Sequence, residues 1–186
     1  MNEKLFRGEL VRLTAQNPEA DAETFAKWSR DSEYLRLAFG NTQLPRSAQQ
    51  ARTDMERRTG ETNPHHYGLA IRTLADDTLI GFIGLMGVSG THGDAWVYIA
   101  IGDRAYWGKG YGTDAMRVLL HYAFTELNLH RVSLGVFEYN PRAIRSYEKV
   151  GFVVEGHSRE ELHRDGKYWD DILMGILRED WKKENV

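Results

Sequence analysis

The sequence predicts a mixed α/β (α+β) domain built on one central sheet, and three observations predict it. Strand-like alternation and helix-like periodicity follow one another along all 186 residues with no linker between them. A glycine-rich turn, Tyr106-Trp-Gly-Lys-Gly-Tyr-Gly-Thr-Asp114, joins a strand pattern to a strongly apolar helix pattern. Two closing strand patterns meet at Asp165-Gly166, a strong hairpin signal.

The elements follow in order. Glu9 to Leu13 alternates weakly and reads as a first strand. Asn17-Pro18 offers a cap with proline at the first helical position, opening a helix to about Arg30. Ser47 and Gln50 form a capping-box pair that starts a second helix, and Gly60 closes it. Tyr67–Leu74 and Leu79–Leu85 read as a hairpin across Ala-Asp-Asp-Thr, and Asp94–Ile101 as a further strand. Glycines at 81, 84, 87, 90 and 93 recur every third residue; without proline this is a strand running into a flexible loop, not a collagen-like repeat. Tyr111 to Leu127 is apolar around most of its circumference, which predicts a heavily buried helix. Val132, Leu134 and Val136 alternate as a strand, Pro141 to Val150 is a short helix stopped by Gly151, and Phe152–His163 and Lys167–Leu177 are the closing strands.

Composition narrows the functional classes. The chain is 41% hydrophobic and 27% charged, ordinary for a soluble protein. A formal charge of −3 gives no global reason to expect a nucleic-acid partner. The absence of cysteine excludes disulfides, thiolate nucleophiles and thiolate metal sites, and fits a reducing cytosol. Met1 to Leu10 lacks the apolar core of a signal peptide, and no apolar run approaches the roughly 20 residues that span a bilayer. The expectation is one domain over residues 1–186, cytoplasmic, with neither a membrane nor a nucleic-acid partner. No H-E-x-x-H or EF-hand pattern is present, and His65-His66 sits in a polar loop, so no metal centre is expected.

The glycine turn carries the first chemical signal. A strand ending near Ile101, then Gly108, Gly110 and Gly112, then a buried helix, presents main-chain N–H groups and a positive helix end to an anion. Lys109 could add a point charge. A tight strand–helix connection is the alternative. The spacing fits neither the P-loop nor the Rossmann fingerprint, which is G-x-G-x-x-G rather than G-x-G-x-G. The second signal is Asn140-Pro-Arg-Ala-Ile-Arg-Ser-Tyr147, which puts an asparagine and a tyrosine on one short helix. Asn140 is a natural helix cap and Tyr147 could be a core residue, yet a phenol can also donate a proton to a thiolate leaving group.

From Trp96 through Phe152 the sequence resembles the acetyl-coenzyme A core of the GCN5-related N-acetyltransferases. The family's Gln/Arg-x-x-Gly-x-Gly/Ala motif falls on Trp107-Gly-Lys-Gly-Tyr-Gly112. The tryptophan replacing Gln/Arg, the Asn-x-x-Ala-x-x-x-Tyr-x-Lys-x-Gly-Phe run and the closing Asp165-Gly-Lys-Tyr and Met174-Gly-Ile-Leu are similar to the RimJ/RimL-type branch. That branch includes ribosomal-protein N-terminal and polyamine acetyltransferases. The resemblance implies a mostly antiparallel mixed sheet with a splayed parallel strand pair and flanking helices, and core acetyl-CoA motifs over about 94–152. It implies that main-chain groups of Ile99, Ala100 and Ile101 pair with pantetheine. It further implies that amides of Gly108, Lys109, Gly110, Tyr111, Gly112 and Thr113 hold the pyrophosphate, that Trp107 and Arg145 also contact the cofactor, that Asn140 contacts it near its thioester end, and that Tyr147 protonates the thiolate. A homodimer is compatible with it.

The implied reaction is direct attack of a primary amine on the acetyl-CoA thioester, with positioning and carbonyl polarisation supplying most of the rate. Many relatives carry a glutamate where Trp96 stands, so the base is unassigned. Asp94 lies two residues earlier on the same strand face and is a candidate, although a solvated loop-end carboxylate is the alternative. Trp96 could narrow the acceptor pocket or stack on the substrate, and core packing is the alternative. An α-amine is roughly one-tenth neutral at pH 7, against well below about 0.1% for a lysine amine, so a weak base suffices for it more readily. The expected acceptor is therefore a protein or peptide N-terminus. The alternatives are a spermidine-like polyamine, for which Asp31, Glu33, Asp170 and Asp171 could form an acidic pocket, and a non-catalytic acyl-CoA sensor.

Overall fold

The computed structural model describes residues 5–59 and 63–185. Among these, the strands are β1 (Val11–Thr14), β2 (His66–Thr73), β3 (Leu79–Ser89), β4 (Asp94–Ile101), β5 (Arg131–Phe137), β6 (Val153–Arg164) and β7 (Lys167–Leu177). The helices are α1 (Pro18–Trp28), α2 (Ser32–Ala38), α3 (Ala48–Thr59), α4 (Tyr111–Thr125), α5 (Pro141–Glu148) and α6 (Arg178–Asn185). The strands form one sheet in the order β1-β2-β3-β4-β5-β7-β6. Every pairing is antiparallel except β4 with β5, which is parallel. The mixed, mostly antiparallel sheet is the predicted one.

Strand alternation decides the two layers. Ala95 and Val97 of β4, Val132, Leu134 and Val136 of β5 and Ile172, Met174 and Ile176 of β7 are buried in one core cluster with α4. From α4 itself, Ala115, Met116, Val118, Leu119, Leu120, Ala123 and Phe124 are all buried, as its all-round apolar pattern predicts. Each fully buried side chain of Leu or Ile size stabilises the fold by about 1.5–3 kcal/mol. On the opposite face Ala100 and Ala70 pack with Trp28 and Tyr34, and alanines 22 and 26 of α1 let α3 approach through Ala51.

Several local signals act as read. Asn17 Oδ1 accepts from the N–H groups of Glu19 (3.1 Å) and Ala20 (3.2 Å). Ser47 and Gln50 exchange reciprocal bonds of 2.9 and 3.1 Å. Gly60, the expected stop of that helix, lies outside the described residues. Other expectations are corrected. The first helix ends at Trp28, not near Arg30, because Asp31 caps a new helix, accepting from Glu33 N–H (3.0 Å) and Tyr34 N–H (3.1 Å). The glycine-spaced stretch is mostly strand: β3 runs to Ser89 and leaves only a short turn before β4. Helix α6 follows β7 without a break, with Glu179 and Asp180 in its first turn and Lys182 and Lys183 in its last, each sign favoured there by the helix dipole.

Two polar contacts lock distant segments together. The buried Asp114 carboxylate of α4 accepts from the N–H groups of Glu9 (3.1 Å), Leu10 (2.8 Å) and Val11 (3.0 Å), fixing the lead into β1. Helix α2 is tied to the β6–β7 turn: Arg36 pairs with Asp165, Arg164 donates to Phe39 O (2.6 Å), and Tyr139 Oη donates to Arg36 O (3.1 Å). This tether spans the strand pair whose divergence makes the site.

Candidate active site

The parallel pairing of β4 and β5 is short. Asp94, Ala95 and Trp96 pair with Arg131, Val132 and Ser133, and there it stops. Beyond Trp96, β4 stays with β3 while β5 stays with β7 as far as Phe137 and Asp171, so the sheet opens into a wedge. Gly102 N–H donates to Ile80 O (2.8 Å), and in this register Tyr98 and Ala100 also turn their main-chain groups toward β3. Val97, Ile99 and Ile101 turn theirs into the wedge. Of the three residues expected to pair with pantetheine, Ala100 is therefore committed to β3, and Ile101 O already accepts from the Trp107 indole (2.7 Å). Ile99 is the one whose main chain addresses the opening.

At the wide end of the wedge stands the glycine turn. Gly108 and Gly110 have φ of +70° and +91°, a left-handed backbone that favours glycine. Gly110 is the cap residue of α4, and Asp114 N–H to Gly110 O (2.9 Å) is a helical bond. The N–H groups of Tyr111, Gly112 and Thr113 are therefore left without helical partners, at the positive end of a 15-residue helix.

These parts line a cleft of about 340 Å³. Its walls include Ile99, Ala100, Ile101, Trp107, Gly108, Gly110, Gly112, Thr113, Asn140, Arg145 and Tyr147. Lys109 and Tyr111 do not line it; Lys109 is exposed and the Tyr111 ring packs on Tyr106 at 5.2 Å. The cleft also takes in Arg142, Ser146, Lys149 and Tyr34, which the sequence reading left out. Arg142, Arg145 and Lys149 supply positive charge, and among the described residues the lining contains no acid. Arg142 lies over the Trp107 ring, 4.1 Å from its centroid, and its half-burial lowers its pKa by desolvation. A cation in the first turn of a helix opposes the dipole, and that misfit is the signal by which Arg142 could have been found. Thr113 and Ser146 hydroxyls meet at 2.7 Å and hold α4 to α5.

Asn140 is buried and caps α5, its Oδ1 accepting from Ala143 N–H (3.2 Å). Tyr147 packs on Phe152 at 6.1 Å, and burial pushes its phenol up to about 12, so it stays protonated through the neutral range.

A second, larger cavity of about 630 Å³ lies on the other side of β4. Phe25, Tyr34, Phe39, Phe82 and Tyr98 line it, and Tyr34 is shared with the first cleft. Tyr98 Oη meets His66 Nε2 at 2.9 Å with the rings stacked at 5.7 Å, and burial lowers the His66 pKa. His65 Nδ1 meets Val88 O at 2.7 Å. Among the described residues no three His, Cys, Asp or Glu side chains cluster as a metal site, and no helix is long and apolar enough to cross a membrane.

The acids proposed for a polyamine pocket line neither cavity. Asp31 forms a two-pronged pair with Arg104 (2.5 and 2.6 Å), which holds its carboxyl at about 2, and Glu33 pairs with the same guanidinium. Asp170 faces His157 Nδ1 at 3.5 Å and accepts from Glu160 N–H (3.0 Å). Asp94 shares the Trp96 face, as expected, but sits at the closed end, two residues before the last β4–β5 pair, and lines neither cavity. Trp96 is 43% exposed, so it is not a core residue.

Comparisons with known proteins place the chain in a family. A family model described as an acetyltransferase (GNAT) domain matches residues 12–153. The chain is 31% identical over 175 residues, 94% of each chain, to YokL, a prophage-derived uncharacterized N-acetyltransferase of Bacillus subtilis. It is 39% identical over 104 residues to the spermidine N-acetyltransferase of Vibrio cholerae, a match spanning 56% of this chain and 60% of that one. The crystal structure of a Vibrio cholerae spermidine N-acetyltransferase in complex with CoA and spermine superposes with a TM-score of 0.79 at 26% identity, covering 92% of this chain and 98% of that one. The chain belongs to the GNAT acetyltransferase family and is an acetyl-CoA-dependent N-acetyltransferase.

Proposed function

We propose that the acceptor is an α-amino group at a protein or peptide N-terminus, and that residues 1–186 act as one acetyltransferase domain of the RimJ/RimL type. The observation that carries this reading is the charge of the larger cavity. Among the described residues its one lining acid, Asp54, pairs with Arg46, and Arg58 adds a further cation to walls that are otherwise mainly aromatic and apolar. A polyamine, protonated at each nitrogen, would enter against net positive charge. An N-terminal residue brings one amine, an apolar side chain for the aromatic wall and main-chain carbonyls for the arginines.

In this reading the cationic cleft holds the phosphates of acetyl-CoA, and the N–H groups from Gly108 to Thr113 take the pyrophosphate. Pantetheine runs down the wedge along Ile99, Asn140 contacts it near the thioester, and Tyr147 protonates the departing thiolate. A second reading, a spermidine-like acceptor, draws support from the names of the Vibrio cholerae relatives. Thiol release from acetyl-CoA, measured across N-terminal peptides and spermidine, separates the two. The proposal expects kcat/KM for at least one peptide to exceed that for spermidine tenfold or more; the reverse order sinks it.

A further inference from the structure

Gly135 of β5 is the second residue beyond the last β4–β5 pair, about 7 Å up the wedge from its closed end at 3.3 Å per residue. Extending the Trp96–Ser133 register sets it across from Tyr98. A Cβ at Gly135 would collide with the carboxylate of Asp171, which projects from the neighbouring β7 and lies over β5 at that point. The carboxylate thus overhangs the wall of the wedge, on the sheet face that carries Trp96 and Tyr98. Asp171 Oδ1 is buried with no hydrogen-bond partner among the described residues. A buried acceptor atom without a donor is costly. Asp171 and Gly135 line neither cavity, but Tyr98, across the wedge from Gly135, lines the larger one, so the partly exposed carboxylate stands next to that cavity, where a donor can arrive with the substrate. Asp94 also carries a buried, unpartnered Oδ1, but at the closed end of the wedge.

We propose that Asp171 is the general base of the transfer, replacing the glutamate whose place Trp96 occupies. This rests on the amine-transfer reading above. As the acceptor nitrogen forms its bond to the acetyl carbon and the carbon–sulfur bond breaks, the nitrogen's proton passes to Asp171. The sulfur takes one from Tyr147. Solvent then removes the first proton and restores the second, leaving the amide and free CoA. Burial and the nearby Glu161 raise the Asp171 pKa toward the working range, as suits a base. Tyr139, whose own pKa is raised first by burial, is the other titratable group coupled to it. Asp170, with its His157 partner, projects to the opposite sheet face by strand alternation.

The test is thiol release by the wild type and the Asp171→Asn variant with an alanine-led tetrapeptide and with spermidine, across pH, alongside CoA affinity. The expected result is a kcat loss of about 10²–10⁴ at pH 7 with unchanged CoA affinity, narrowing as pH rises and hydroxide replaces the base. Gly135→Ala, which displaces the carboxylate without removing it, should lower kcat in the same direction. If the Asp171→Asn variant loses its fold, Gly135→Ala decides, and an unchanged rate overturns the role. Should both fail to fold, the wild-type kcat profile decides: an acid limb above the ordinary carboxylate range supports Asp171, and its absence overturns it. Wild-type release with an equally fast Asp171→Asn variant overturns Asp171 alone. No release by the wild type with either amine overturns the transfer reading and this role with it.

Discussion

The two cavities beside β4 are built in opposite ways. The smaller cleft, proposed for the donor, comes mainly from one stretch of chain, Ile99 to Lys149, with α2 adding a wall through Tyr34. The larger cavity gathers residues from Phe6 to Tyr122, through α1, α2, α3 and three strands. Among the described residues one is acid-free and cationic; the other is aromatic, with its single acid paired to an arginine. A phosphate can be held by local devices, namely a helix N-terminus, left-handed glycines and cations a turn apart. An acceptor must be recognised by side chains that meet only after long-range strand pairing, and such a site can change without disturbing the donor machinery.

If that division holds, changes in each region should move different kinetic constants. The largest expected effect is on chemistry: Tyr147→Phe should lower kcat by about 10²–10⁴ in single-turnover thiol release while CoA affinity stays unchanged. An unchanged chemical step would remove Tyr147 from the acid role. Next is donor binding. Gly110→Val forces a β-branched residue to φ +91° at the start of α4. At about 1–2 kcal/mol for the left-handed backbone, CoA affinity should fall some five- to thirty-fold by calorimetry. Equal affinity would mean that the turn does not hold the pyrophosphate.

Acceptor binding should respond more weakly. Arg58→Ala should raise KM for a peptide acceptor several-fold and lower it for spermidine, with CoA affinity untouched. A change in CoA affinity would break the division between the cavities. The smallest effect is structural. The Arg104 guanidinium holds Asp31 at about 2, below its ordinary 3.8, so this pair's stabilisation is present above about 4 and lost as pH falls toward 2. The pair is exposed enough that solvent screens most of it. Acid unfolding of the Arg104→Ala variant should lack that part of the pH dependence, and an identical acid transition would show that the pair contributes nothing.

Legibility in the sequence followed the range of the interaction. Asp165 and Gly166 adopt φ of +55° and +70°, as an Asp-Gly hairpin turn requires, and the Ser47–Gln50 box closes within four residues. Helix α2 has no place in the sequence reading, which ends the first helix near Arg30 and assigns no element between there and Ser47, although Asp31 is itself a legible cap. Helix α6 was missed because neither glycine nor proline divides it from β7. Gly108, Gly110, Gly112, Asn140 and Tyr147, which the sequence singles out by spacing, do line one cleft. Arg142 was passed over although it sits in the same motif, because its value comes from stacking on Trp107 across the cleft. Asp171 was read as a pocket acid because nothing near it in sequence reveals that it lies over Gly135.

The sequence by itself determined the seven strands and four of the six helices among the described residues, the glycine turn and the tyrosine of α5. Each depends on dihedral preferences, caps and periodicities that act within a few residues. Only the tertiary structure decided where β4 and β5 part, which main-chain groups face the gap, and which carboxylates are engaged or left without a donor. Those outcomes depend on strand register, and a register is a relation between segments that no single segment contains. The same register sets Asp94 at the closed end of the wedge and Asp171 over its open wall.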